Sequence, residues 1–298
     1  HLLGKFKANR HQLCTLSFLL YDHIGGINTL LYTLSNGGCM VTVKDRNPEE
    51  ILSAIEKYKV ELLPTSPTFL NLVLISEAYK RYDISSLKTI SYGTEPMPQS
   101  TLKRFSTLYP KIKFLQTYGL SEVGILRSKS KSSDSLWMKI GGEDFKTRII
   151  KNILHIKAKS AMLGYLNAPS PFTEDGWFNT GDYVEVEDGF IKIFGRKSDI
   201  INVGGQKVYP AEVESIIQEM EVVSEVSVYK EKNPILGNVV CSVITPKKKV
   251  DEDQLILDII KYCQKNMQRY MIPIKIEIVT FKQHSNRFKK IRNKLNHI

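Results

Sequence analysis

Residues 176–214 read GWFNTGDYVEVEDGFIKIFGRKSDIINVGGQKVYPAEVE, and no other stretch of the chain leaves its backbone so few options. Residues 183–187 and 190–194 alternate in polarity on either side of Asp188-Gly189. Asp-Gly between two alternating runs is the pattern of a two-residue hairpin turn, which needs positive φ at both central residues. The spacing predicts a hairpin with Thr180-Gly181-Asp182 on a turn before its first strand and Gly195-Arg196 at the end of its second. One rigid hairpin then carries a carboxylate, Asp182, and a guanidinium, Arg196. Such a pair can grip a polyol and the anion beside it, as in a nucleotide's ribose and phosphate.

Different patterns flank this stretch. Upstream, short apolar strands alternate with amphipathic helices. Residues 40–43 read as a strand, and Asn47-Pro48-Glu49-Glu50 as a helix start. Asn47 is the N-cap, Pro48 takes the first helical position and Glu50 is placed for a capping box. Ile51, Leu52, Ile55 and Tyr58 share that helix's apolar face. A strand at 61–63, a helix at 98–109 burying Leu102, Phe105 and Leu108, and a strand at 113–116 follow. This alternation implies a mainly parallel, helix-covered sheet. Residues 138–194 are strand-rich, with strands at 148–150 and 154–157 besides the hairpin, and read as a small β subdomain. After Arg196 the pattern restarts. Pro210 opens a helix with Val213, Ile216, Ile217 and Met220 on one face. Strands at 223–229 and 239–244, a helix at 251–267 and a last strand through Ile274, Ile276 and Ile278 complete a compact α+β unit. The expected fold class is α/β, with one domain over 1–196, a second over 197–298 and a joint at 197–199.

A chain of 298 residues can bury the cores of two domains. Its net charge of +11 comes from dispersed lysines, densest at 247–249 and 287–294. No aromatic residues interleave with them as in a nucleic-acid module, so a solvated basic surface is expected, with no nucleic-acid partner. No apolar run is long enough to cross a bilayer. Cys14, Cys39, Cys241 and Cys263 are scattered, with no CxxC pair. Free thiols in a reducing cytoplasm are the expectation.

Further motifs stand at fixed offsets from the hairpin. They are Tyr21-Asp22-His23-Ile24-Gly25-Gly26, Thr65-Ser66-Pro67-Thr68, Ser91-Tyr92-Gly93-Thr94-Glu95-Pro96, Gln116-Thr117-Tyr118-Gly119-Leu120-Ser121-Glu122, Gly204-Gly205-Gln206-Lys207 and Asn286-Arg287-Phe288-Lys289-Lys290-Ile291-Arg292. Together they resemble the adenylate-forming superfamily of acyl- and aryl-CoA synthetases, luciferases and peptide-synthetase adenylation domains, from about Leu19 to Leu295. The resemblance implies that Tyr118 stacks on adenine and Gly119 lets the backbone approach closely. It implies that Ser121 donates to the α-phosphate and that Glu122 holds Mg²⁺. Gly93, Thr94 and Glu95 would line the nucleotide slot and the floor of the acyl pocket. His23, beside Gly25 and Gly26, would border the carboxylate end of that pocket. Asp182 would take the ribose hydroxyls and Arg196 the ribose and phosphate, with Asp199 bracing the corner. Ser198 stands at the hinge, where many members carry Asp or Lys. Gly205 would leave room for a pantetheine arm. Spacing to Arg292 and Leu295 selects Lys289 as catalytic lysine and leaves Lys290 as the competing choice. Phe288 occupies the place of the motif's usual glycine.

The implied function is ATP-dependent activation of a carboxylic acid to an acyl-adenylate, with Mg²⁺, followed by transfer to a thiol, that of CoA. A carrier-protein pantetheine is the alternative acceptor. A non-catalytic nucleotide-binding remnant is the other reading, given Ser198 and Phe288. The superfamily's Ser/Thr/Gly-rich phosphate loop, ending in Pro-Lys-Gly, does not precede His23. The only Gly-Lys pair, Gly4-Lys5, is followed by Phe6 and makes no Walker loop. The resemblance thus implies the C-terminal portion of a longer cytoplasmic enzyme, and adenylate formation is not expected of these residues alone.

Overall fold

A computed structural model describes residues 12–292. Gly4, Lys5 and Leu295 lie outside the described residues. Five strands, β1 (Cys14–Leu16), β2 (Cys39–Val41), β3 (Leu62–Thr65), β4 (Thr89–Tyr92) and β5 (Lys113–Gln116), form a wholly parallel sheet in the order β2-β1-β3-β4-β5. The crossovers are α1 (Ile24–Ser35), α2 (Pro48–Tyr58), α3 (Pro67–Ser76) and α4 (Gln99–Leu108). Parallel neighbours require such long connections, which is why strand and helix alternate in the sequence. The caps are local. The Asn47 side chain accepts from Glu50 N at 3.0 Å, and Ser66 Oγ accepts from Phe69 N at 3.2 Å. Ile51, Leu52, Ile55, Leu102 and Phe105 are buried as expected. Tyr58 and Leu108, expected on the same faces, are 51% and 41% exposed. Each is the last residue of its helix, three positions beyond the last buried one.

The strand order reverses between β1 and β3. In open α/β sheets the loops leaving the carboxyl ends of the strands at such a point bound a crevice, the usual place for a ligand. Here those loops are residues 17–23 and the Ser66 turn.

An antiparallel sheet follows at once. It comprises β6 (Tyr118–Leu120), β7 (Gly124–Ser130), β8 (Trp137–Gly141), β9 (Phe145–Ile150), β10 (Ile153–Ala158), β11 (Phe178–Glu187) and β12 (Phe190–Arg196), ordered β6-β7-β8-β12-β11-β10-β9. The β region therefore begins at Tyr118, not 138, because Thr117 alone separates β5 from β6. The hairpin is as expected, with Asp188 and Gly189 at φ 50° and 73°. Its first strand is longer than expected, and Thr180-Gly181-Asp182 lies within β11 instead of on a preceding turn.

A short 3₁₀ turn, Lys197–Asp199, leads to the C-terminal unit. There β13 (Ile201–Val203), β14 (Gln206–Val208), β15 (Val223–Asn233) and β16 (Gly237–Pro246) pair antiparallel, and β17 (Lys275–Ile278) joins β16 in parallel. Helices α5 (Pro210–Ile217) and α6 (Glu252–Asn266) cover this sheet over a core including Val213, Ile217, Val226 and Ile259. The fold is α/β.

Candidate active site

Loops at the carboxyl ends of β4 and β5, the open end of the β11–β12 hairpin and the segment after β17 border an open cleft. Gly93 follows β4. A Cβ there would lie 2.7 Å from the Thr117 carbonyl oxygen, so only glycine lets the two loops touch. Thr94 then adopts φ 74°, an outlier for a β-branched residue, costing on the order of 1 kcal/mol. The Glu95 carboxylate is already engaged: Oε1 accepts from Thr68 N at 2.8 Å and Oε2 from Lys290 N at 3.0 Å. It ties this loop to α3 and to the C-terminal segment.

Asp182 and Arg196 face each other across the hairpin, with Arg196 Nε 3.2 Å from Asp182 Oδ1. The buried Tyr118 hydroxyl donates to Asp182 Oδ2 at 2.5 Å. Arg196 also donates to the Thr180 carbonyl. Asp182 is thus buried, 7% exposed, and not on an exposed turn. Burial pushes its pKa up, against the Tyr118 hydrogen bond and the Arg196 charge. A carboxylate offers about four lone-pair sites, so both oxygens can still accept from a ligand. The Arg196 side chain is half exposed and faces the cleft.

Lys289 and Lys290 both line this cleft, in different situations. The Lys290 ammonium is 3.1 Å from Glu214, and Arg292 donates to the same carboxylate at 2.8 and 2.9 Å. Glu214 is 1% exposed. Burial alone would raise its pKa, but the Arg292 and Lys290 charges hold it down to about 2. No salt bridge engages Lys289 among the described residues. Burial lowers its pKa first; Glu95 opposes this, and Arg287 and Arg196 add to the lowering.

His23 caps α1, its Nδ1 accepting from Gly25 N at 3.0 Å. Gly25 packs on Leu19, and a Cβ on Gly26 would fall 2.1 Å from the Leu20 carbonyl oxygen, so the helix starts hard against that loop. His23 lines a small recess that shares Thr94 and Lys289 with the cleft. Burial and the Lys289 and Arg287 charges push its pKa down, partly offset by Asp22.

The structure therefore gathers Gly93, Thr94, Glu95, Tyr118, Asp182, Arg196 and Lys289 around one cleft, with His23 next door. Ser121, Glu122, Ser198 and Gly205 do not line it. Ser121 and Glu122 lie on the β6–β7 turn, where Tyr165 donates to Glu122 Oε1 at 2.7 Å. Glu122 keeps one carboxylate oxygen without that bond. This suits Mg²⁺, which takes one or two carboxylates and otherwise water and phosphate oxygens. No cluster of three or more metal-ligating side chains exists among the described residues. Gly205 lies on the exposed β13–β14 turn at φ 89°, with nothing within 4 Å of a Cβ placed there. Ser198 Oγ donates to Asp199 Oδ1 at 3.0 Å.

Sequence reasoning missed Glu214 as the anchor of Lys290 and Arg292. The signal was present: Pro210, Val213, Glu214 and Ile217 follow the i, i+3, i+4, i+7 spacing of one helix face. A carboxylate on that face requires a buried cationic partner. Asp199 also lines the cleft.

The family model described as AMP-binding enzyme matches residues 3–141, and that described as AMP-binding enzyme C-terminal domain matches 212–289. A long-chain-fatty-acid–CoA ligase of Bacillus subtilis (strain 168) is 28% identical over 279 residues, 87% of this chain and 49% of that protein. A 4-coumarate–CoA ligase-like protein of Oryza sativa subsp. japonica is 28% identical over 92% of this chain and 50% of that protein. The chain thus spans about half the length of these curated relatives. The crystal structure of an anthranilate CoA ligase in complex with anthranoyl-AMP shares the fold, with a TM-score of 0.84 at 20% identity over 99% of this chain and 62% of that one. No helix among the described residues is long and apolar enough to cross a membrane.

Proposed function

This chain belongs to the adenylate-forming superfamily, and we propose that its protein activates a carboxylic acid with ATP and passes the acyl group to a thiol, that of CoA. The observation that carries this reading is the single cleft in which the half-buried Lys289 faces the Tyr118–Asp182–Arg196 network. Asp182 accepts from the ribose hydroxyls while Arg196 contacts ribose and phosphate. The bond between Tyr118 and Asp182 fixes the carboxylate before ligand arrives. A carboxylate oxygen of the acid attacks the α-phosphorus in line; the acyl–phosphate bond forms and the bond to pyrophosphate breaks. No general base is needed, because the acid arrives ionised. Lys289, poorly solvated among cations, gains most when phosphate charge arrives beside it. Glu122, on the turn just beyond the cleft-lining Leu120, would hold Mg²⁺, which neutralises phosphate charge when bound.

Residues 1–196 are taken as part of the large domain and 197–298 as a lid turning at Ser198. Rotation withdraws Lys289 and brings in Gly205, whose open surroundings leave room for a pantetheine arm. The thiol gives its proton to solvent and its sulfur attacks the acyl carbonyl; the carbon–sulfur bond forms, the acyl–phosphate bond breaks, and AMP leaves with that electron pair. ATP, Mg²⁺ and CoA are all supplied in the cytoplasm, the compartment this reading implies. The relatives' names range from long-chain fatty acid to 4-coumarate, so the acid has to be found by trial. The test is pyrophosphate exchange by the full-length protein across a panel of aliphatic and aromatic acids, then CoA against carrier protein as acceptor. Acid-dependent exchange followed by CoA thioester is expected. Transfer to carrier protein alone would replace the acceptor. ATP binding without exchange for any acid would make the protein a nucleotide binder only.

A further inference from the structure

Phe288 immediately precedes Lys289, and its φ of 53° lies in the left-handed region, where a bulky side chain is strained. Its ring is half-buried against the first unit's core, with centroids 5.3 Å from Phe18 and 5.7 Å from Phe69. His284 of the lid stacks on it at 5.8 Å, and the Arg46 guanidinium lies 5.4 Å over its face. The surrounding backbone is tied to the same wall. Ser66 Oγ donates to Phe288 O at 2.8 Å, and Arg46 Nη2 to Asn286 O at 2.8 Å. Phe18 follows β1 and Ser66 follows β3, so the lid inserts this ring into the crevice where the strand order reverses.

A glycine at this position would make the same left-handed turn without strain, but it would have no ring to insert. Strain of this kind persists only where the surroundings over-determine it, and here they are an aromatic slot formed mainly by the other domain. We propose that Phe288 is a positioning residue for Lys289. It is an aromatic anchor that holds the lid in the orientation seen here, with Lys289 in the cleft, and biases the protein toward its adenylate-forming state. The last clause rests on the function proposed above; the anchoring does not.

The two are tested separately in the full-length protein. Spin labels at Lys111→Cys and Lys265→Cys, both exposed positions on opposite sides of the hinge, report the interdomain distance once Cys14 and Cys39 are replaced by Ser. Without nucleotide, one narrow distance distribution is expected for the parent. A second population is expected for Phe288→Gly, and a smaller one for Phe288→Leu, which keeps an apolar plug. An unchanged distribution in Phe288→Gly overturns the anchor. In single turnover, Phe288→Gly should slow adenylate formation at least tenfold, while transfer from supplied acyl-adenylate to thiol is not slowed. Equal loss in both halves, together with a lowered Tm, would reduce Phe288 to a packing residue and overturn the positioning role. A shifted distribution in a protein that forms no adenylate would uphold the anchor and defeat the functional reading.

Discussion

Lys289 and Lys290 are adjacent, carry the same charge and line the same cleft, yet burial and partners give them different work. Lys290 is held by Glu214, whereas no such pair engages Lys289 among the described residues, and burial leaves it poorly solvated. Lys289→Ala should therefore lower adenylate formation by roughly a hundredfold or more, the scale of losing one charge-stabilising group, and leave Tm nearly unchanged. Lys290→Ala should instead lower Tm, which thermal unfolding of both variants checks. The spacing to Arg292 had favoured Lys289, but only the position of Glu214 separates the two by their surroundings. Asp182 teaches the reverse lesson. The sequence paired it with Arg196 but put it on a turn before the hairpin, because the Tyr118 hydroxyl that buries with it comes from a motif 64 residues away. Asp182→Ala leaves that hydroxyl and Arg196 without their partner. It should cost about 1–3 kcal/mol of stability besides weakening ATP binding. Calorimetry with ATP and a denaturant titration of the same variant measure the two effects. Unchanged ATP affinity would leave Asp182 only a structural role.

Helix α5 shows how an element carries both packing and charge. Its apolar face was legible from Val213 and Ile217, whose spacing is local. Glu214 on the same face was legible only as an anomaly, because Lys290 and Arg292, more than 70 residues away, are what satisfy it. The folded-state pKa of Glu214, about 2, lies below its ordinary value of 4.5. The associated stability is therefore fully present above pH 4.5 and lost as pH falls toward 2. It amounts to on the order of 3 kcal/mol, given 1.36 kcal/mol per pKa unit. Glu214→Gln should flatten that acid limb. At pH 7 it should destabilise by about 3 kcal/mol, because two partly buried cations lose their buried counter-charge. Denaturant unfolding between pH 2 and 7 reads both. The β11–β12 hairpin was legible because Asp188-Gly189 sets its turn locally. The early start of the antiparallel sheet was not, since β6 is three residues long and pairs with β7 only after its motif has been spent as a turn.

At the scale of the whole molecule, the cleft belongs to no single element. It needs the carboxyl ends of two parallel strands, one hairpin and a segment more than 90 residues further on. Motif spacing named most of these residues. It could not show which of them meet in one cleft, because that depends on contacts between units and not on local pattern. Lys289 is in the cleft and Gly205 is out on an exposed turn; under the proposed function these are two faces of one lid. The central claim is that these faces serve different half-reactions. The most direct measurement assays each half separately in the full-length protein, with Lys289→Ala and Gly205→Leu. Lys289→Ala should lower adenylate formation by roughly a hundredfold or more yet transfer supplied acyl-adenylate to thiol at the parent rate. Gly205→Leu should form adenylate normally and fail to make thioester. If both variants damage both halves equally, alternation of the lid is contradicted.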